Sequence, residues 1–229
     1  MNKNTELDFA TVLASSVHDM KNSVAMLLVN VESILERYQP KGPEESQSFK
    51  SLHYEASRIN GELIQLLSLY RMDHKLLTAQ IDEYYLSDML EEQVARNQLL
   101  LDTSDVNLEL DVDDALAWYF DVDLVAGVVH NVLLNCIRYT KAKVKISAQE
   151  ERGWLKISVA DDGQGYPDIM LQQPQIMAEY AQLGDGQTHL GLFFAARIAQ
   201  MHKQADKVGR IELRNNASLG GGEFILYLP

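Results

Sequence analysis

The chain has 229 residues, 46% of them hydrophobic, with 33 acidic against 20 basic side chains and a formal net charge of -13. That length and apolar content support one large domain or two small ones around a packed core, and the negative surplus excludes non-specific nucleic-acid binding, because a phosphate backbone would repel it. Cys136 is the single cysteine, which excludes an internal disulfide framework and suits a reducing compartment. The first residues lack the basic start, apolar run and cleavage site of a signal peptide, and no apolar run is long enough to cross a bilayer. A soluble, cytoplasmic protein without a membrane segment is expected.

In chain order, Leu13, Val17, Met20, Val24, Leu27, Val31, Ile34 and Tyr38 alternate spacings of four and three, a heptad seam along one helix. YQPKGPEESQS then breaks the helix. Phe49, Leu52, Ala56, Ile59, Leu63, Leu66 and Tyr70 give a second seam. Two amphipathic helices around a short break predict an antiparallel hairpin. A lone hairpin cannot cover both seams, whereas dimerising into a four-helix bundle would.

From about residue 80 the pattern changes. A helix is expected over roughly 87–101, with Ser87 as its N-cap and Asp88 in its first turn. VNLELDV and AWYF read as strands. Residues 121–140 have helical apolar spacing through Leu124, Val128, Val132, Leu133 and Ile137. KVKISAQ and WLKISVA form a strand pair across EERG; LGLFFAARIAQMH is a helix; RIELRN and EFILYLP close the chain as a strand pair. The expected fold class is α+β, with helices against a largely antiparallel sheet. The expected domains are 1–78 and 79–229.

Four motifs can carry chemistry. HDMKN places His18 and Asn22 one helical turn apart, flanking the seam between Val17 and Met20. A neutral imidazole is a nucleophile near pH 7; Asp19 can hold one ring nitrogen and Asn22 can orient a water. The same residues also suit a solvated polar patch beside a coiled coil. In VADDGQGYP, Asp161 ends a strand and can accept from an exocyclic amine, with Gly163 and Gly165 allowing close approach of a flat ring; an ordinary Asp/Gly turn reads the same way. In HNVLLNCIRYT, Asn131 and Asn135 share a helical face with Arg138 three residues on. Amide oxygens suit Mg²⁺ and arginine suits phosphate, although a polar helix face needs no ligand. In GDGQTHLGL, a glycine run leads into a helix start near Thr188, where free N–H groups attract phosphate; a flexible connector is the plainer reading.

Taken in order, these motifs resemble the sensor histidine kinases of two-component signalling, and the resemblance covers essentially the whole chain. HDMKN is similar to the H-box, NVLLN to the N-box, DDGQG to the G1 box and THLGL to the G2 box, with Gly220, Gly221 and Gly222 before the last strand. The resemblance implies a dimerisation and histidine-phosphotransfer hairpin followed by the Bergerat-type ATP-binding α/β sandwich shared with gyrase and Hsp90. It implies that His18 takes a phosphoryl group from ATP, assisted by Asp19, and hands it to an aspartate on a response-regulator receiver domain. Asn22 occupies the position of the phosphatase residue. Asn135 would ligate Mg²⁺ beside Asn131, and Arg138 would touch the phosphates. Asp161, Gly163 and Gly165 would form the adenine pocket, and Gly186, Thr188, Leu190 and Gly191 the phosphate loop. The short stretch before His18 implies either input from a separate sensor protein or a chain that is a fragment of a longer one, and the hairpin implies a homodimer.

His189 stands where the G2 box usually has glycine, and residues 166–188 carry Asp168, Glu179 and Asp185 but no lysine or arginine. An alternative is therefore a histidine phosphotransferase that relays phosphoryl groups through a degenerate ATP-binding domain. A dimeric scaffold and an anti-sigma-type serine kinase are two further readings, the last opposed by the long hairpin.

Overall fold

The structure is a computed structural model that describes residues 9–38, 42–172, 190–215 and 219–229. The chain divides into two compact units, Met1–Leu77 and Thr78–Pro229.

The first unit is a hairpin of α1 (Phe9–Arg37) and α2 (Pro43–Asp73). Proline at the start of α2 costs no hydrogen bond, because the first helical N–H groups have no partner within the helix. The seam expected on each helix splits into two lines. On α1, Val17 and Val31 are buried, while Met20, Leu27 and Ile34 are exposed. On α2, Ala56 is buried, while Leu52, Ile59 and Leu66 are exposed. Each exposed set repeats every seven residues, so every second layer of the heptad lies outside the contact between the two helices. Enclosed positions also include His53, Ser57, Gln65 and Leu67, which the seam omits. The Tyr38 and Phe49 rings meet at 5.9 Å across the closed end.

The second unit begins with β1 (Asp82–Tyr85), α3 (Leu86–Arg96) and α4 (Gln98–Thr103). The single helix expected over 87–101 is therefore two, broken at Asn97. Buried Asn97 donates from its side-chain amide to Gln93 O (2.7 Å) and to His130 Nδ1 (3.1 Å), contacts that no local pattern encodes. Ser87 lies inside α3, and the N-cap position is Tyr85. There follow β2 (Asn107–Val112), β3 (Ala117–Phe120), α5 (Val122–Tyr139), β4 (Lys143–Glu150), β5 (Leu155–Asp161) and α6 (Asp168–Gln172). The described chain closes with α7 (Leu190–Met201), the short strands β6 (Lys203–Gln204) and β7 (Lys207–Val208), then β8 (Arg210–Asn215) and β9 (Gly222–Leu228).

Five strands form one sheet in the order β2-β4-β5-β9-β8. The β2–β4 pair is parallel, which demands a crossover, and α5 supplies it. The other pairs are antiparallel. The β4–β5 turn is tight because Arg152 (φ 55°) and Gly153 (φ 73°) both take left-handed conformations, the geometry that matches strand twist. Strand alternation sends Val144, Ile146, Ile157, Val159, Phe224, Leu226 and Leu228 to one face, all buried. Helix α3 packs on β2, α5 on β5, and α7 on β8 and β9, with α5 touching both other helices. This two-layer sandwich is the α+β arrangement expected, and β1 with β3 adds a separate two-stranded ribbon.

The start of α5 is fixed by Asp121, an N-cap residue that the sequence reading did not single out. Its Oδ1 accepts from Leu124 N (3.0 Å), its Oδ2 from Gln80 N (2.7 Å), and its own N–H donates to His202 Nε2 (3.0 Å). Burial pushes the pKa of His202 down, partly opposed by its bond to Ile198 O and by the charge of Asp121. The ring is thus held neutral, with Nδ1–H donating to Ile198 O (2.8 Å) and Nε2 accepting.

Candidate functional site

Two sites arise, one in each unit. In the hairpin, His18 stands half exposed on α1, its Nδ1 3.7 Å from Asp19 Oδ1 and 3.4 Å from the Asn22 side-chain amide. The one-turn spacing brings the three together, as expected from HDMKN. Both contacts involve Nδ1. The Asn22 atom in contact is the amide nitrogen, a donor, which matches the tautomer in which Nδ1 accepts. With hydrogen on Nδ1 instead, the carboxylate of Asp19 is the acceptor beside it and the Nε2 lone pair is left free. A helical mount that points one ring nitrogen to solvent is a competent nucleophile carrier.

In the second unit, the site lies where β5 ends and β9 begins. Asp161 is the last residue of β5, and Asp162 follows it pointing the other way, because successive strand side chains alternate. Asp162 Oδ1 accepts from the Thr140 hydroxyl and from the N–H groups of Lys141 (2.8 Å), Ala142 (3.0 Å) and Lys143 (3.1 Å). Burial alone would raise its pKa, but these bonds, led by the Thr140 hydroxyl, outweigh it and hold the carboxyl far below the usual range. Asp162 therefore clamps the end of α5 to the end of β5.

Asp161 turns inward. Its Oδ1 accepts from Gly163 N (2.7 Å) and Gly222 N (3.3 Å), and the Cys136 thiol approaches Oδ2 at 3.9 Å. Close approach dictates the glycines. A Cβ on Gly163 would strike the Tyr139 carbonyl, and one on Gly221 would strike Asp161. Gly165 turns the chain at φ 78°, where a side chain would be strained and would meet Asn215 Oδ1 at 2.5 Å. Burial pushes the Cys136 thiol up, with the charge of Asp161 adding to it, so it stays protonated. Burial likewise raises the Tyr166 phenol well above its ordinary value, followed by the influence of Cys136 and Asp161.

Along α5, Asn131 is half-buried against the first turn of α7, where a Cβ on Gly191 would collide with its amide. Asn135 and Arg138 lie further along and are exposed, the Arg138 guanidinium 5.3 Å from the centre of the Tyr139 ring. Leu190 opens α7 and is half-buried. The structure thus unites Asp161, Gly163 and Gly165 in one cluster and Asn131 with Gly191 in a second. Gly186, Thr188 and His189 lie outside the described residues.

The sequence reading missed Gly221 and Gly222 as partners of Asp161, noting them only as a glycine run. It also missed Cys136 and Tyr166. The register gives the reason for the glycines: Ala160 pairs with Glu223, so the next step of each strand sets Asp161 beside Gly222.

Among known proteins, residues 120–229 match the family described as histidine kinase-, DNA gyrase B- and HSP90-like ATPases. Those residues make up most of the second unit, which is similar to a GHKL-type ATPase domain. The chain is similar to the sensor histidine kinase CssS of Bacillus subtilis, 26% identical over 205 residues, covering 87% of this chain and 44% of the relative. It is also similar to the sensor protein SrrB of Staphylococcus aureus, 24% identical over 226 residues, covering 95% of this chain and 37% of the relative. The chain thus spans less than half the length of these two relatives. Among solved structures, the Acinetobacter baumannii histidine kinase AdeS shares the fold with TM-score 0.57 and 19% identity, covering 92% of this chain and 96% of that one. The catalytic domain of histidine kinase ThkA matches with TM-score 0.54 and 19% identity, covering 66% of this chain and 96% of that one. No described helix is long and apolar enough to cross a membrane.

Proposed function

We propose that the chain is an ATP-dependent histidine kinase whose phosphoacceptor is His18. The observation that carries this reading is the half-exposed His18 ring with Nδ1 against Asp19 and Asn22, in a chain whose second unit is similar to a GHKL-type ATPase domain. Nε2 attacks the γ-phosphorus of ATP, the bond from that phosphorus to the bridging oxygen breaks, and ADP leaves with the electron pair. The Nδ1 proton, acidified by the new N–P bond, passes to Asp19. The receiver-domain aspartate of a response regulator then takes the phosphoryl group from Nε2. Asn22 orients the water that later hydrolyses the regulator's acyl phosphate.

Asp161 accepts the exocyclic amine of adenine, Gly163 and Gly165 line the base, and Arg138 meets the phosphates. Leu190 and Gly191 at the start of α7 form the phosphate side of the site. Among the described residues no cluster of three acidic, histidine or cysteine ligands could hold a metal by itself. The amide oxygen of exposed Asn135, with Asn131 one turn earlier, suits Mg²⁺, which keeps waters and takes its other oxygens from the nucleotide. When bound, Mg²⁺ neutralises phosphate charge. The exposed lines Met20, Leu27, Ile34 and Leu52, Ile59, Leu66 support a homodimer through the hairpin, with residues 1–78 as the phosphotransfer unit and 79–229 as the catalytic one. In this reading the chain works in the cytoplasm and receives its signal from a sensor protein.

Incubation with γ-labelled ATP tests the assignment. Label should appear on the wild-type chain, pass to a receiver domain and be absent from His18→Ala. Asn22→Ala should keep the first two steps and lose dephosphorylation of the regulator. Label retained on His18→Ala would overturn the proposal.

A further inference from the structure

The two oxygens of Asp161 are not equivalent. Oδ1 is committed to the backbone through Gly163 N and Gly222 N. Oδ2 has no backbone partner among the described residues, so it is the oxygen on offer to a base. Yet it is walled in. Asp161 is only 7% exposed and Cys136 only 3%. The Cys136 thiol stands on one side of Oδ2. On another stands the ring of Tyr166: the point where Gly222 would carry a Cβ lies 3.2 Å from Oδ2 and 2.8 Å and 3.1 Å from two carbons of that ring. Ring and carboxylate therefore converge over the one residue that has no side chain to keep them apart.

The backbone of Tyr166 is pinned. Its N–H donates to Asn215 Oδ1 (2.8 Å), and the Asn215 amide donates back to its carbonyl (3.3 Å). This double bond to the end of β8 leaves rotation about the side chain's own bonds as the simplest movement for the ring. Tyr166 is half-buried, and burial raises its phenol above the ordinary value, with Cys136 and Asp161 adding to the rise.

We infer that Tyr166 is a self-occupying gate of the base pocket: its ring holds the place beside Asp161 Oδ2 that a purine needs, and it rotates out before the base can bind. The inference rests on the nucleotide-binding reading of Asp161 and adds a regulatory element to that site. Its consequence is quantitative. Apparent affinity falls by the fraction of molecules in the open state, so a ring that is in place about nine-tenths of the time weakens binding about tenfold.

The test is Mg²⁺·ADP binding by calorimetry on the full chain, comparing wild type with Tyr166→Leu, Tyr166→Ala and Tyr166→Phe. Gating predicts that the two variants without a ring bind about tenfold tighter and that Tyr166→Phe, which keeps the ring, binds like wild type. Should Tyr166→Ala fail to fold, Tyr166→Leu decides, because it preserves apolar filling. Equal or weaker binding by the ringless variants alongside a wild type that binds would overturn the gate while leaving the nucleotide reading intact. No binding by any of them, matching Asp161→Asn, would overturn both. In chain labelled with 3-fluorotyrosine, the ¹⁹F resonance missing from Tyr166→Phe should move towards the position of the free amino acid when ADP saturates the site. A resonance that stays in place would rule out the rotation.

Discussion

In the hairpin, Val17, Val31, Ala56 and Leu67 are the enclosed hydrophobic side chains among those described, and the same two helices leave six seam residues open. In the second unit, the buried set among the described residues extends from Leu86 through α5, the sheet and α7 to Leu228. The hairpin even encloses polar groups: His53 Nε2 lies 3.3 Å from Glu32 Oε1, and His53 Nδ1 has no hydrogen-bond partner among the described residues. The contrast teaches where independence lies. A sandwich of helices on a sheet covers its own apolar face, whereas two helices with apolar residues on both sides of their contact need another surface. The contrast separates a unit that covers its own apolar surface from one that leaves part of its apolar surface open.

Separating the units is the strongest way to break this comparison. Residues 79–229 should melt cooperatively at a midpoint independent of concentration. Residues 1–78 should melt at a midpoint that rises with concentration, since association stabilises by mass action. Ile59→Asp should shift the hairpin to monomer in sedimentation velocity. An unfolded 79–229 fragment, or a hairpin melting independent of concentration, would dissolve the distinction.

Next in size is Leu133→Ala in the fully buried centre of α5, which should cost about 2–5 kcal/mol in denaturant unfolding of the second unit. The same truncation at exposed Leu66 should leave the second unit's transition unchanged. Asp162→Ala comes third. It removes the acceptor of the three N–H groups at 141–143 and of the Thr140 hydroxyl, partly replaceable by water, for about 1–3 kcal/mol. A stability within a few tenths of wild type would mean the clamp is dispensable.

The smallest effect is with pH. Burial lowers the pKa of His130, with the charge of Arg96 adding to it, and burial also lowers that of His202, from an ordinary value of 6.5. A histidine with a lowered folded value takes up its proton more readily when unfolded. Its contribution to stability is therefore complete above 6.5 and is lost as pH falls through 6.5 towards the folded values. The second unit should lose stability from pH 7 to pH 5, and His130→Gln should flatten part of that slope. A stability that rises on acidification would contradict the neutral rings.

Much of this was legible in one dimension. Periodicity located both hairpin helices, α5, α7 and the strands of the main sheet, because side-chain alternation of 2 and 3.6 is a local property. HDMKN needed no fold to be assembled, since one helical turn joins its members. The reading failed where the deciding partner was remote. Nothing around 97 announces a helix break, because the groups that hold Asn97 include His130 across the layer. Ser87 looked like a cap and became a buried helical residue once Leu86 N donated to Leu116 O (2.9 Å) in the neighbouring strand region.

The neighbouring acids 161 and 162 show the division most clearly. By itself the sequence determined that two carboxylates end a strand and that glycines follow, because strand and turn chemistry act between near neighbours. Which carboxylate turns inward, and that Cys136, Tyr166 and Gly222 close around it, was decided by the tertiary structure. Strand register and the packing of α5 on β5 bring together residues that lie 25 and 61 positions apart, and no local rule specifies a contact over such distances.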